Sequence, residues 1–446
     1  MAERECVGTL PRRAFLRAGL VGFSTLGVSD LFRLQAAGAA QGGRGKSLIV
    51  VWLWGGPSHL ETFDMKPDAP EAYRGLFRPI ATSVPGLEIC EKLPRLAAIA
   101  DKLALVRSIS HDSPGHVNST HTVLTGYTGE VIETAPYTPK YPYAFHVANR
   151  FLPRDATLPT WVAMPDMPYE GGGGLGRSFG PFKLRADPNA PDFKVPELVL
   201  DEARRARLEN RSRLLAGFDA MRRAMDEEAT HSFDDFQKQA LDVLTSTAAR
   251  DAFDLAREPD ALRDRYGRDV VGQRCLLARR LVEAGVRVVT VDFPCVPGQK
   301  AFSWDDHASV WNIFEQMEIR LPVLDRAVSA LIEDVYARGL DRETMIVVMG
   351  EMGRTPKLSD FKGQPGREHW GHAMSALFSG GGAPMGQAIG STTPRGEFPA
   401  DRPMTPNDLL ATWYRHLGID HTMTYLDTTG RPIALLPHGE PIAELA

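Results

Sequence analysis

Four apolar runs in this sequence have the length of buried β-strands. The first is Ser47–Trp54 (SLIVVWLW), which is apolar almost throughout, and the others are Leu103–Ile109, Val286–Phe293 and Met345–Met349. Strands that are apolar on both faces are typical of parallel sheets covered by helices on both sides. The pattern therefore predicts an α/β fold with a doubly wound, mainly parallel sheet.

Helical periodicity occupies much of the remaining chain. Leu93–Asp101 predicts one helix, Leu321–Arg338 repeats apolar residues every three or four positions, and Pro406–Leu417 predicts a last helix. The stretch at about 197–283 is rich in Arg, Glu, Ala and Leu and poor in Gly and Pro, so it predicts a helical insertion. Ser110–Thr120, which is rich in His and Ser, predicts a loop.

The first forty residues have the features of a twin-arginine export signal. Arg12-Arg13-Ala14-Phe15-Leu16 is followed by a moderately apolar stretch and by the small residues Ala36–Ala40, which suit a signal peptidase. Ala18–Val28 is too short and too rich in Gly and Ser to span a bilayer as a helix. The alternative is an amphipathic helix that stays attached. We expect residues 1–40 to engage the twin-arginine machinery of a bacterium, and the protein to be periplasmic or secreted.

Charge and cysteine content exclude several classes of protein. Without residues 1–40, the chain has 46 basic and 53 acidic residues, a formal charge of −7, and therefore no global electrostatic attraction to nucleic acid. The composition is also not that of an integral membrane protein. Four cysteines without a CxxC pair predict neither a disulfide framework nor a zinc ribbon.

Polar side chains follow the predicted strands. The carboxyl ends of parallel strands meet at one edge of a sheet, where ligands bind in open α/β folds. The polar groups at this edge are Ser58 and His59; His111, Asp112, His116 and His121; Asp305, Asp306 and His307; Glu351 and Arg354; and His369 and His372. Because imidazole and carboxylate are common ligands of divalent metals, the pattern predicts a metal site for zinc, calcium or manganese.

The carboxylates of this group have structural alternatives. Asp305 and His307 point to one side if the segment alternates as a strand does, although a solvated turn with a helix N-cap would use the same residues. Glu351 follows an apolar run and lies between Gly350 and Gly353, which indicates tight backbone packing near a site. The alternative is a charge that marks the exit of the strand.

The remaining candidates are one arginine and four histidines. Arg354 could bind a sulfate, phosphate or carboxylate in bidentate fashion, or form an ion pair with a core carboxylate. His369 and His372 share a face only if their segment is helical. His116 is a candidate nucleophile, general acid or ligand, and His59 is a further candidate ligand.

Several segments resemble one known family. VWLWGGPSHLETFDMKP, SWDDH, GEMGRTP and GREHWGHAMSALFSGGG are similar to segments of the exported bacterial proteins known as domain of unknown function 1501, within the alkaline phosphatase and sulfatase-like superfamily. The resemblance implies that residues 41–446 form a single alkaline phosphatase-like α/β domain. It also implies a metal-dependent hydrolase of anionic esters, sulfate or phosphate monoesters, carried by small molecules or glycans.

The wider superfamily implies roles for particular residues. HVNSTHTVLTGY is similar to the stretch that carries the nucleophile, which places His116 at that position. LDRETMIVVMGEMG resembles the strand before a metal motif, with Glu351 at the Asp position and Met352 at the His position. WDDH resembles the segment that supplies an Asp and a His ligand, and His369 or His372 matches a later ligand.

The sequence also departs from that superfamily. No Cys-x-Pro-x-Arg motif precedes Thr125-Gly126, so the formylglycine nucleophile of sulfatases is missing. Gly55 or Gly56 stands where an Asp ligand would follow the first strand, and His59, Glu61 or Asp64 could replace it. These departures support a second hypothesis, a non-catalytic binding or accessory protein that keeps the fold and has lost the chemistry.

Overall fold

The computed structural model describes residues 45–129, 133–135, 137, 139–153, 157–195, 246–293, 295–301 and 303–445. The predicted export signal and residues 197–245 of the predicted helical insertion lie outside the described residues. The described residues from Lys46 onward belong to one compact unit. Within them, no helix has the length and apolar character needed to span a bilayer.

The strands follow one another along the whole described chain. They are Ser47–Trp52 (β1), Pro79–Ala81 (β2), Glu88–Cys90 (β3), Ala104–Ile109 (β4), Trp161–Met164 (β5), Phe182–Lys183 (β6), Val288–Asp292 (β7), Thr344–Met349 (β8), Gly353–Arg354 (β9), Ser359–Phe361 (β10), Gln364–Gly366 (β11), His369–Trp370 (β12), Met374–Gly380 (β13), Gln387–Ile389 (β14), Ser391–Thr392 (β15), Pro399–Asp401 (β16), Thr424–Leu426 (β17) and Pro432–Ala434 (β18).

The α-helices lie between groups of these strands. They are Glu71–Arg74 (α1), Pro94–Ala98 (α2), Gly115–Thr125 (α3), Ala144–Phe151 (α4), Thr247–Phe253 (α5), Asp260–Tyr266 (α6), Val270–Ala284 (α7), Ile313–Ala337 (α8) and Pro406–Leu417 (α9).

A central sheet contains all four predicted strands. Its order in the described chain is β14-β4-β13-β8-β1-β7-β5-β6. β1 pairs in parallel with β7 and β8, whereas β13 runs antiparallel to both β4 and β8. The mainly parallel sheet that the apolar runs predicted is confirmed, and the antiparallel β13 is an addition to that prediction.

Helices cover both faces of the sheet. Ile49 and Val51 of β1 pack in one hydrophobic cluster with residues of α7 and α8, while Leu48, Val50 and Trp52 pack in a second cluster with residues of α3, α4 and α9. Successive side chains of a strand point to opposite faces, so both faces of β1 are buried. This doubly wound arrangement explains why the strand is apolar throughout.

The helix predicted over Leu321–Arg338 begins eight residues earlier, at Ile313. The Asn312 side chain caps it by accepting hydrogen bonds from the backbone N–H groups of Phe314 (3.0 Å) and Glu315 (3.4 Å). Pro322 lies inside this helix, where a proline costs about 3 kcal/mol because it removes a hydrogen bond and crowds the preceding turn. The extensively buried face of α8 offsets that cost.

The strand directions define which edge of the sheet holds the carboxyl ends of the strands. Because β1, β7 and β8 are parallel and β4 runs the same way, their carboxyl ends lie at one edge. Gly55 follows β1, α3 follows β4, and Glu351 follows β8. This edge is where the polar residues of the sequence were expected to meet.

Candidate metal centre

His116 lies on a helix, which corrects the loop predicted over Ser110–Thr120. α3 begins at Gly115, and the Glu133 carboxylate caps its N-terminus by accepting the backbone N–H of Asn118 at 3.0 Å. A carboxylate at this end satisfies backbone donors and complements the helix dipole. Since the capping group comes from 15 residues further along the chain, local composition did not reveal the helix.

Four side chains converge at the carboxyl edge of the sheet. Each of His116, Asp305, His307 and His369 offers one potential ligand atom, and these four atoms lie within 4.8 Å of one another. The Nε2 atom of His369 is 3.0 Å from that of His116 and 3.1 Å from that of His307. Asp305 Oδ1 is 2.8 Å from His307 Nε2 and 3.2 Å from His369 Nε2, while Asp305 Oδ2 is 3.1 Å from His116 Nε2. The cluster therefore has the composition of a divalent metal site.

Separate parts of the fold supply these four residues. His116 lies in the first turn of α3, and Asp305 and His307 lie between β7 and α8. The backbone N–H of Trp304 donates to the carbonyl of Trp54 at 2.8 Å, which ties that segment to the end of β1. His369 opens β12, which pairs with β9. The site thus depends on tertiary contacts among segments far apart in sequence.

Two carboxylates hold two of the rings from behind. His116 Nδ1 is 2.7 Å from Glu351 Oε1, and His307 Nδ1 contacts the Glu368 carboxylate. Metal-binding histidines usually donate the other ring N–H to a carboxylate or a carbonyl, which turns the free nitrogen toward the ion. Both rings have this arrangement, with Nε2 directed into the cluster. Close packing of these Nε2 atoms is electrostatically favourable when they share a cation. These residues therefore fit a metal ion.

The protonation of the cluster follows from its carboxylates. Burial alone would raise the pKa of Asp305, but hydrogen bonds from the three histidines and the charge of Arg354 lower this pKa well below its usual range. Burial alone would lower the pKa of His116, yet its hydrogen bonds with Asp305 and Glu351 raise that pKa to about 9. A bound metal would replace the His116 proton, so binding should release it.

Glu351 was predicted as a metal ligand, and the structure places it one layer behind the cluster. Its carboxylate is fully buried and accepts the backbone N–H of Gly55 at 2.8 Å through Oε1, the same oxygen that contacts His116. The turn after β8 packs tightly on the end of β1, because a Cβ on Gly350 would approach the Leu53 carbonyl to 2.5 Å. This packing keeps the carboxylate away from the shared centre of the imidazoles.

Arg354 was expected either to bind an anionic substrate or to form an ion pair with a core carboxylate, and the structure shows it buried and in contact with Asp305. The guanidinium is fully buried and donates through Nε to the Gly56 carbonyl at 2.9 Å and through Nη1 to the Arg367 carbonyl at 3.3 Å. Its Nη2 contacts the Gly55 carbonyl and Asp305 Oδ1. Arg354 therefore forms the ion pair with a carboxylate that was the alternative interpretation, and it organises the site from inside.

His59 and His372, both predicted as ligands, are not brought into the cluster. His59 is buried, and its Nε2 is 2.9 Å from the carbonyl of Gly396. His372 packs instead against the aromatic rings of Trp370 and Phe398, at centroid distances of 5.0 and 5.5 Å. His369 opens an extended strand, so the helical spacing that would have paired it with His372 does not apply.

Sequence reasoning missed the residues that position His369. Arg367 is fully buried and donates to Glu61 through Nε at 2.9 Å and through Nη2 at 2.6 Å. This bidentate ion pair joins the segment before His369 to the turn after β1. Glu368, which holds His307, was also missed, although a carboxylate directly next to a candidate ligand was a usable signal.

Comparisons with solved structures show broad but distant likeness. The PsFucS1 sulfatase from Pseudoalteromonas sp. is 12% identical, with a TM-score of 0.38 over 92% of this chain and 72% of that chain. The lipoteichoic acid synthase LtaP from Listeria monocytogenes is 10% identical, with a TM-score of 0.35 over 89% and 75%. The C-terminal periplasmic domain of EcEptC from Escherichia coli is 10% identical, with a TM-score of 0.36 over 89% and 94%. These likenesses assign no activity to this chain.

The sequence itself identifies a family. No curated protein matches the chain. A family model matches residues 45–446, which is nearly all of the sequence beyond the predicted export signal. The family resemblance seen in the motifs is thereby confirmed. The chain belongs to the family described as protein of unknown function (DUF1501).

Proposed function

We propose that this chain is a metal-dependent hydrolase of anionic esters, such as sulfate or phosphate monoesters of small molecules or glycans. The observation that carries the proposal is the convergence of His116, Asp305, His307 and His369 on one point at the carboxyl edge of the sheet. The ester substrate comes from the superfamily resemblance of the sequence motifs.

The donor set favours particular metals. Three imidazoles and one carboxylate suit zinc or manganese better than calcium, which prefers oxygen ligands. The carboxylates of Glu351 and Glu368 behind His116 and His307 match the second layer that tunes histidine ligands in metal sites. We therefore place zinc or manganese ahead of calcium among the ions expected from the sequence.

Solvent exposure argues for a catalytic site over a closed one. Structural zinc sites are enclosed by four protein ligands, whereas catalytic sites keep a position open to solvent. Here the side chains of His116, Asp305, His307 and His369 keep 18%, 23%, 19% and 32% of their surface exposed. One side of the cluster faces solvent, so a substrate oxygen can approach it. This feature favours the hydrolase over a non-catalytic binding or accessory protein.

The chain's own residues prepare the site for chemistry. A divalent ion supplies Lewis-acid activation of the ester oxygens when it is bound. Asp305 contacts all three imidazoles and is kept ionised by them and by Arg354. Glu351 and Glu368 hold the Nδ1 atoms of His116 and His307, which fixes the direction of both rings. The site is thus organised by charge and hydrogen bonds before a substrate enters.

Metal analysis together with hydrolysis assays tests this proposal. The purified full chain should retain about one zinc or manganese ion and hydrolyse 4-nitrophenyl phosphate or 4-nitrophenyl sulfate. Asp305→Asn and His369→Ala should lose both the ion and the activity. His372→Ala is the matched control, since this histidine lies three residues from His369 and outside the cluster. It should keep both.

Two outcomes would contradict the proposal in different ways. A wild-type chain that retains no ion, or a His372→Ala variant that loses the ion as fully as His369→Ala, would refute the ligand set. A fully loaded chain that hydrolyses no ester in a broad panel would favour the binding or accessory protein.

Export is part of the same proposal. The Arg12-Arg13 motif and the small residues Ala36–Ala40 support a twin-arginine signal, and a reporter fused after residue 44 tests it. Replacing both arginines by lysine should keep the fusion in the bacterial cytoplasm, while the unchanged signal should export it. Equal export of both fusions would refute the signal.

A further inference from the structure

The ring of His369 is held differently from the other two imidazoles of the cluster. Glu351 and Glu368 contact the Nδ1 atoms of His116 and His307. Among the residues that the structure describes, no carboxylate or carbonyl holds Nδ1 of His369 in the same way; its contacts with the other ligands are made through Nε2. The direction of this ring therefore depends on the strand that carries it.

His59 lies against that strand's partner. β9 and β12 pair as an antiparallel two-stranded ribbon, in which Gly353 lies opposite Trp370. A Cβ on Gly353 would come to 2.9 Å from His59 Nδ1, so the ring and β9 are in close contact. His59 Nε2 donates to the Gly396 carbonyl at 2.9 Å, and the Trp370 indole donates to the adjacent Glu397 carbonyl at 2.7 Å. The same short turn thus holds both His59 and the ribbon.

His111 lies against the other strand of the ribbon, at the point where β12 ends. A Cβ on Gly371 would come to 2.7 Å from His111 Nδ1, and the backbone N–H of His111 donates to the Gly371 carbonyl at 3.0 Å. Nε2 of the same ring donates to the Glu351 carbonyl at 2.8 Å. Because the Glu351 carboxylate holds His116, His111 contacts the supports of two candidate ligands at once.

Both rings are neutral and have the same tautomer. A carbonyl oxygen only accepts, so Nε2 carries the hydrogen in each ring and Nδ1 has none. The side chains of His59 and His111 are only 1% and 7% exposed, and neither Nδ1 atom has a hydrogen-bond partner in the described part of the chain. Burial lowers the pKa of both imidazoles, which keeps them neutral. A buried acceptor without a partner costs free energy, so the value of these rings lies in their Nε2 hydrogen bonds and their contact with the ribbon.

We propose that His59 and His111 are positioning residues of the metal centre, which hold the β9–β12 ribbon at Gly353 and at Gly371 and thereby fix the place of His369. This inference rests on the proposed function for the presence of the metal. It gives a role to two histidines that the sequence grouped with the ligands. Metal sites tolerate displacements of only about 0.2 Å in a ligand distance, so a small shift of the ribbon weakens the bond to His369 without removing a ligand.

The zinc affinity of the purified full chain tests the inference, measured by competition with a chromophoric chelator. Loss of a residue that supports a metal ligand typically weakens metal binding by about 10- to 100-fold, so His59→Leu and His111→Leu should each fall in this range. His111→Gln should restore the affinity, since its side-chain amide can donate to the same Glu351 carbonyl.

His121→Leu is the matched control. His121 is also buried, its Nδ1 is 3.1 Å from the Tyr127 carbonyl, and its Nε2 has no partner among the described residues, but neither contact involves the ribbon. This variant should lose stability as the other leucine variants do and keep the zinc affinity of the wild type. If His111→Leu does not fold, His111→Asn takes its place, because the shorter amide cannot reach the Glu351 carbonyl.

The visible absorption spectrum of the cobalt-loaded chain reports on ligand geometry independently of stability. It should change in His111→Leu and return to the wild-type form in His111→Gln. Wild-type affinity and spectrum in both His59→Leu and His111→Leu would overturn the inference, as would an equal loss of affinity in His121→Leu. Absence of metal from the wild type overturns the proposed function as well. If zinc binding depends on His111 but no ester is hydrolysed, the proposed function fails and the positioning role stands; if esters are hydrolysed and neither variant affects the metal, the reverse holds.

Discussion

Replacing His416 by glutamine should remove one source of acid sensitivity from this fold. His416 lies in α9, and its Nε2 is 2.8 Å from the carbonyl of Ser47 at the start of β1. Burial lowers the pKa of this imidazole to about 4, and the charges of Lys46 and Arg287 lower it further against the raising effect of the backbone hydrogen bonds. Glutamine can keep a donor to the same carbonyl and cannot take up a proton.

The sign and size of the effect follow from proton linkage. The pKa is 6.5 in the unfolded chain and about 4 in the folded one, so the unfolded chain takes up the proton first as pH falls. The stability that depends on a neutral His416 is complete above pH 6.5 and is lost between pH 6.5 and 4. These two pKa values give a loss of about 2 kcal/mol at pH 5 and almost none at pH 7.

Urea unfolding at pH 7 and pH 5 measures this difference. The wild type should lose about 2 kcal/mol more than His416→Gln between the two pH values, with unchanged m-values. The two proteins differ only at residue 416, so the contributions of all other residues cancel. Exposed His438→Gln is the control and should follow the wild type. Equal losses in wild type and His416→Gln would refute the reasoning.

Three further predictions concern a buried ion pair, a hairpin loop and the binding of zinc. Glu61→Gln should lower the free energy of unfolding by about 3–5 kcal/mol, because it leaves the buried charge of Arg367 without its partner. Thermal or urea unfolding measures this loss, and a loss below about 1 kcal/mol would contradict the prediction. Lys362→Asn should raise the free energy of unfolding by about 0.5–1 kcal/mol. Lys362 and Gly363 form a two-residue hairpin loop with φ angles of +55° and +81°, and this geometry favours Asn-Gly. Unchanged or lower stability in the same assay would contradict the prediction. Free zinc at about one hundred times its Kd should raise the free energy of unfolding of the wild type by about 2.7 kcal/mol and leave that of Asp305→Asn unchanged. Thermal melts with and without chelator measure this difference. Equal stabilisation of both proteins would argue against the ligand set.

Much of the fold could be predicted because local patterns reflect burial. The runs at β1 and β8 are apolar almost throughout, and strands covered by helices on both sides need this composition. Pro406–Leu417 was predicted with its observed bounds, since its Thr405 capping box and following Gly418 are local signals. The antiparallel β13 was missed, because strand direction depends on pairing with distant strands.

The candidate site was predictable in part. The rule that ligands bind at the carboxyl ends of parallel strands groups Asp305, His307 and His369 with His116 from the sequence alone. That rule places backbones at an edge but does not direct side chains. Glu351 and Arg354 satisfy it as well, yet both point into the packed interior and support the cluster from behind.

By itself the sequence determined the family, the mainly parallel sheet and the edge at which imidazoles and carboxylates collect. Only the tertiary structure decided which of these groups meet, that Arg354 is enclosed, and that His59 and His111 lie against the ribbon that carries His369. The physical reason is that apolar patterning and strand-end polarity arise from burial along each segment. Contacts at the scale of a hydrogen bond depend instead on how segments hundreds of residues apart pack together.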